Sequence, residues 1–119
     1  PYLGICVGMQ MLLDSSQEFG NHEGLGIIPG TVTKMNIPNQ KVPFIGWKKS
    51  NVIGKEKAYY FVHSYSAIPT DKKNILGTYK ISDTKIVSAL RKENIFGVQF
   101  HPEKSGSDGL EFLQHFLKI

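Results

Sequence analysis

The sequence predicts an α/β fold with an antiparallel β extension, and two observations carry that reading. Tyr2 to Ile5 is a short apolar run of the kind that forms a strand buried on both faces, and an apolar helical pattern of Met9, Leu12 and Leu13 follows at once. Further along come β-rich segments divided by turns, and an amphipathic helix closes the chain.

The junction between first strand and first helix reads Gly4-Ile5-Cys6-Val7-Gly8. Small residues two before and two after the centre permit a turn too tight for side chains. That is the pattern of a nucleophile elbow, with Cys in place of Ser. A thiol there sits at a helix N-terminus, where unpaired N–H groups and the dipole favour thiolate. The Val7 amide is placed to donate to an oxyanion on a carbonyl that the sulfur attacks. The same five residues also describe a buried structural cysteine in an ordinary strand-to-helix turn.

Asp14 to Asn21 is polar and turn-forming and ends the helix. Gly24 to Gly30 misses the GxGxxG spacing by one residue, and Pro29 removes a donor, so it reads as a loop leading to a strand rather than a phosphate cradle. Strands are expected at Thr31 to Met35, Val42 to Trp47, Ala58 to Tyr65, Ile75 to Ile81, Ile86 to Leu90 and Ile95 to Phe100. Asn36 to Lys41, with Pro38, is a turn or exposed loop, and Lys92-Glu93-Asn94 marks a hairpin. Ser107-Asp108-Gly109 opens the last helix, with Leu110, Leu113, Phe116 and Leu117 on one face.

A length of 119 residues and 40% apolar content fit one globular domain. No run approaches the ~18 apolar residues of a membrane helix, and no basic segment precedes an apolar one as in a signal peptide. A single cysteine and no Asn-x-Ser/Thr site fit a reducing cytoplasm. A buried strand at residue 2 needs neighbours, so residues 1–119 are expected to be the C-terminal part of one larger domain. The net charge is +4, but the 14 Lys and Arg are scattered, with pairs only at Lys48-Lys49, Lys72-Lys73 and Arg91-Lys92. Solvated surface, not a nucleic-acid interface, is the reading.

A nucleophilic thiol wants a base, and the base wants an orienting group. Phe100-His101-Pro102-Glu103 offers both. Pro102 biases His101 towards an extended backbone, and residues i and i+2 then project to one side, bringing Glu103 to one imidazole nitrogen. Taken alone, the tetrapeptide is a surface histidine with a solvated glutamate; beside a glycine-flanked cysteine it becomes the other half of a catalytic pair. His22, His63 and His115 lack metal-ligand spacing, and His115 is expected on the surface. His63, among Tyr59, Tyr60, Ser64 and Tyr65, is either a satisfied core residue or part of a pocket wall.

Together, GICVGMQ, YYFVHSY and GVQFHPEKS resemble the class I (triad-type) glutamine amidotransferases, and within them the glutaminase subunits of imidazole glycerol phosphate synthases. GLGIIPG, VPFIGW and the closing helix fall in the same order, so the resemblance spans nearly the whole chain. It implies a flavodoxin-like α/β/α domain that hydrolyses glutamine to glutamate and ammonia. Cys6 resembles the nucleophile, His101 the general base and acid, and Glu103 its orienter, while Val7 supplies an oxyanion amide. Gln10 and Glu18 resemble glutamine-binding residues, Glu18 facing the α-ammonium, and Tyr60, His63, Ser64 and Tyr65 match the segment lining that pocket. The resemblance implies no cofactor, metal or phosphate site. Ammonia would pass, in a heterodimer, to a (β/α)8-barrel synthase or cyclase making imidazole glycerol phosphate and AICAR in histidine synthesis.

Two departures from the family pattern stand out. The strands upstream of the elbow, and the loop there that supplies a second oxyanion amide, are not in this sequence. Residues 1–119 alone are therefore expected to lack appreciable glutaminase activity, and glutamate release by them at the full enzyme's rate would refute this. Lys48-Lys49 follows Gly46-Trp47, where the family commonly has Asn after Trp. That change is either drift at a tolerant surface position or the mark of a paralogue serving another acceptor enzyme, for example one forming amidino groups on sugars. A scaffold subunit that keeps the fold without activity is the remaining alternative, against which Cys6, His101 and Glu103 argue.

Overall fold

The computed structural model describes residues 1–119 and shows a mixed α/β architecture. Tyr2–Ile5 forms β1, and the chain turns at Cys6 into α1, Val7–Gln10. Short strands β2, Ser15–Ser16, and β3, His22–Glu23, precede β4, Gly30–Lys34. A long hairpin follows, β5 at Phe44–Asn51 and β6 at Glu56–His63, then β7 at Tyr65–Pro69 and β8 at Ile75–Ile81. Strands β9, Thr84–Lys92, and β10, Ile95–Val98, lead to α2, Gly106–Leu117.

The strands make two four-stranded sheets and one hairpin. The first sheet has the order β1-β10-β9-β8, and only the β1/β10 pair in it is parallel. The second runs β3-β2-β4-β7, with β2 and β4 parallel. The expected hairpin at Lys92-Glu93-Asn94 is present, closing β9 onto β10 with Glu93 at φ 56°. Strand β9 is buried on both faces. Ile86 and Ala89 join a core with Tyr59, Phe61, Phe100 and Phe112, whereas Val87 and Leu90 join one with Met9, Leu12 and Leu13.

Four expectations are corrected. Strand β1 lies at the edge of its sheet and is not buried on both faces, since Tyr2 and Ile5 are exposed. The first helix is a single turn: Leu12 and Leu13 N–H donate to Met9 O and Gln10 O in a tighter i→i−3 pattern, and the loop beyond takes the carbonyls that follow. The N–H of Leu25 donates to Met11 O, that of Gly26 to Leu13 O, and those of Ile27 and Ile28 both to Leu12 O. Ala58 to Tyr65 is not one strand: β6 pairs with β5 and β7 with β4, so the chain changes sheets at Ser64, whose carbonyl accepts from Met35 N–H. The buried face of α2 is not the expected leucine stripe either. Gly109 and Phe112 are buried, with Leu113 packed beside them, whereas Leu110 and Leu117 are exposed.

Candidate active site

The site lies where the parallel pair β1/β10 ends. Cys6 N–H donates to Val98 O at 2.8 Å, which sets the cysteine beside Gln99; no hydrogen bond joins the sulfur to His101, and the link to that turn is the Glu103 charge, which acts on the thiol. Cys6 has φ 55° and ψ −109°, a conformation L-residues seldom adopt, and its carbonyl accepts from the N–H groups of Met9 and Gln10. This is the geometry of an elbow. Gly4 is required by it: a Cβ there would lie 2.4 Å from the Gly8 carbonyl oxygen. A Cβ on Gly8 would meet nothing, so only the first of the two flanking glycines serves the close approach.

His101 has the extended backbone that Pro102 favours, and its Nδ1 lies 2.9 Å from a Glu103 carboxylate oxygen. The pairing holds for a different local reason than strand alternation. Pro102–Lys104 forms a 3₁₀ turn, and that turn swings Glu103 back to the imidazole. The backbone of Tyr60 braces the segment: its carbonyl accepts from His101 N–H, and its own N–H donates to Ser105 Oγ, which donates in turn to His101 O.

The thiol itself departs from expectation. Burial pushes the Cys6 thiol up from its ordinary value, and the carboxylates of Glu18 and Glu103 push the same way, against the lowering pull of Val7 N–H and of the Gln99 carboxamide. The resting site therefore favours thiol, not thiolate. The helix behind the sulfur is only four residues long, too short for its dipole to outweigh desolvation.

Val7, Gln10 and Glu18 line one cavity of about 170 Å³ together with Met11, Ser16 and Phe19. Tyr65 meets this group through its main chain, its carbonyl accepting from Gln10 Nε2 at 3.4 Å. His63 stands behind it as a core residue, with Nδ1 2.7 Å from Tyr65 O and Nε2 2.7 Å from the Tyr79 hydroxyl. Burial pulls its pKa down to about 4. The Tyr60 ring packs edge-on against Trp47 at 5.7 Å, and Ser64 sits in the bend between β6 and β7. Neither of those two side chains lines the cavity. Sequence reasoning overlooked Gln99, which is fully buried and places Nε2 3.7 Å from the Cys6 sulfur. The clue was a long polar residue inside an otherwise apolar strand end, Phe96-Gly97-Val98-Gln99-Phe100. No three His, Cys, Asp or Glu side chains are grouped to hold a metal ion, and no helix is long and apolar enough to cross a membrane.

The chain is 46% identical over 125 residues to imidazole glycerol phosphate synthase subunit HisH of Zymomonas mobilis, covering 98% of this chain and 58% of that protein. It is 45% identical over 130 residues to the same subunit of Pelagibacter ubique, covering all of this chain and 62% of the relative. The chain thus spans about three-fifths of the length of these curated relatives. A solved structure described as a crystal structure of glutamine amidotransferase shares the fold, with a TM-score of 0.70 over 98% of this chain and 58% of that one at 19% identity. The model of the family "Glutamine amidotransferase class-I" matches residues 1–119, and the chain belongs to that family.

Proposed function

We propose that this chain carries the catalytic residues of a glutaminase that hydrolyses glutamine to glutamate and ammonia. The observation that carries the reading is the strained Cys6 elbow, set beside the Val7–Gln10–Glu18 cavity and near a hydrogen-bonded His101–Glu103 pair. Glutamine enters with its α-ammonium towards Glu18 and its side-chain amide at Cys6. Binding of the ammonium cancels the Glu18 charge that disfavours thiolate, so substrate helps to activate its own nucleophile.

Cys6 then passes its proton to His101, and its sulfur attacks the amide carbon. The resulting oxyanion takes a hydrogen bond from Val7 N–H. Collapse of the tetrahedral adduct breaks the C–N bond, and His101 returns the proton so that ammonia leaves and a thioester remains. Water, deprotonated by His101, releases glutamate and restores the thiol. Glu103 accepts from the imidazole Nδ1–H and so fixes the tautomer with Nε2 facing the reaction.

The relatives' names place them as subunits of imidazole glycerol phosphate synthase, and we extend that role to this chain. The ammonia is consumed by a (β/α)8-barrel cyclase subunit in a cytoplasmic heterodimer of histidine synthesis. In the complete protein, Cys6→Ser is expected to lower glutamate release by about a thousand-fold or more. A glutamine-like electrophile is expected to label Cys6, with excess glutamine protecting it. Labelling indifferent to glutamine would leave Cys6 as a merely accessible thiol and sink the proposal.

A further inference from the structure

We propose that Gln99 is a positioning residue for the nucleophile, its carboxamide N–H holding the Cys6 sulfur through a relay anchored on the Tyr65 carbonyl. Gln99 is wholly buried, and its main chain is pinned by donation of its N–H to Ser88 O at 2.8 Å. A buried carboxamide is costly unless its donors and acceptor are all engaged. Its oxygen accepts from Gln10 Nε2 at 3.2 Å, and Gln10 Nε2 also donates to Tyr65 O at 3.4 Å.

The direction of this relay follows from its anchor. A main-chain carbonyl only accepts, so Gln10 must turn its amino group towards Tyr65. The second hydrogen of that group then meets the Gln99 oxygen, and the Gln99 amino group is left facing the sulfur at 3.7 Å. A flipped Gln99 would set two N–H groups against each other. A neutral donor at the sulfur favours thiolate and fixes where the lone pairs point, without adding a charge that would compete for the α-ammonium. It opposes the two carboxylates facing Cys6, Glu18 from the segment between β2 and β3 and Glu103 from the turn that also carries His101.

The importance of this relay for turnover rests on the glutaminase reading, but its effect on the thiol does not. The test is the pH profile of Cys6 alkylation by iodoacetamide in the complete protein, followed by mass spectrometry of the Cys6 peptide, with no glutamine present. Gln99→Met, similar in shape but without the donor, is expected to move the profile to higher pH and slow alkylation at neutral pH about ten-fold. Gln10→Met, which removes only the brace, is expected to give a smaller shift in the same direction, about three-fold. Both are expected to lower the unfolding midpoint modestly, since each leaves a buried polar partner unpaired, and to stay folded under the assay conditions; a general loosening would instead speed alkylation by exposing the thiol. An unchanged profile in a folded Gln99→Met chain overturns the proposal. Should Gln99→Met not fold, an unchanged profile in Gln10→Met overturns it equally. Absence of glutaminase activity in the complete protein would sink the functional reading and leave this result standing.

Discussion

Cys6 is held between opposed influences, and its neighbours decide which prevails. Burial, Glu18 and Glu103 disfavour thiolate, whereas Val7 N–H and Gln99 favour it. Glu18→Gln removes a negative charge, so the Cys6 pKa falls and the thiolate fraction at neutral pH rises. Alkylation of Cys6 is expected to quicken several-fold, while KM for glutamine rises because the α-ammonium loses its partner. Parallel measurements of alkylation and of glutamate release check the pair of effects, and their moving in the same direction would remove Glu18 from substrate binding. Glu103→Gln has a different signature. Its loss frees the imidazole to adopt the wrong tautomer, so single-turnover thioester formation is expected to slow on the order of a hundred-fold with little change in substrate affinity. Unchanged single-turnover chemistry would take Glu103 out of the mechanism.

Helix α2 shows how an element places a residue it does not contain. Gly109 packs its backbone so closely on the preceding turn that a Cβ would lie 2.0 Å from Pro102 O, and that turn carries Glu103. Gly109→Ala must therefore push helix and turn apart. The expected cost is about 1–3 kcal/mol of stability, read from urea unfolding, together with weakened glutaminase activity as Glu103 leaves His101. A stable variant with full activity would show that the turn does not depend on this contact. The same glycine explains why the helix face was misjudged from the sequence. A count of apolar side chains points to Leu110 and Leu117, while the centre of the buried face is a residue with no side chain to count. The elbow, by contrast, was legible because its signal is local: an apolar strand, a glycine-flanked cysteine and an immediate helical start. The extent of α1 was not, since the tightening at Leu12 and Leu13 is followed by hydrogen bonds from Leu25 to Ile28 that bar further turns, and that loop's own residues carry no mark of the duty. Cys6, His101 and Glu103 could be picked out as reactive types in tight motifs. Gln99 showed only as a polar residue in an apolar strand end, and its role could not be read there because its partner lies 93 positions away.

Across the molecule, the site and the core share a hydrogen-bonded line. From the sulfur it runs through Gln99 and Gln10 to Tyr65 O, which also takes the Nδ1–H of His63, and ends at Tyr79. Tyr65 O can only accept, so His63 carries its proton on Nδ1 and accepts the Tyr79 hydroxyl at Nε2. The neutral ring thus satisfies both neighbours while joining β6, β7 and β8, and a second proton would place a charge in a buried setting with no carboxylate partner. Burial lowers the folded-state pKa from 6.5 to about 4. Above pH 6.5 neither folded nor unfolded chains protonate this ring, and its full contribution is present. As pH falls from 6.5 towards 4 the unfolded chain takes up the proton first, so stability is lost, by up to about 3 kcal/mol. Asp71 and Glu111, whose carboxyls are held below their usual range, lose their contributions only at lower pH, so the first acid limb belongs to His63. Urea midpoints are expected to fall between pH 6.5 and 4.5 in the wild-type chain and to stay nearly level over that span in His63→Gln, whose side chain does not titrate. An equally steep fall in both chains would assign that limb to other groups and free the relay from any acid sensitivity at its core end.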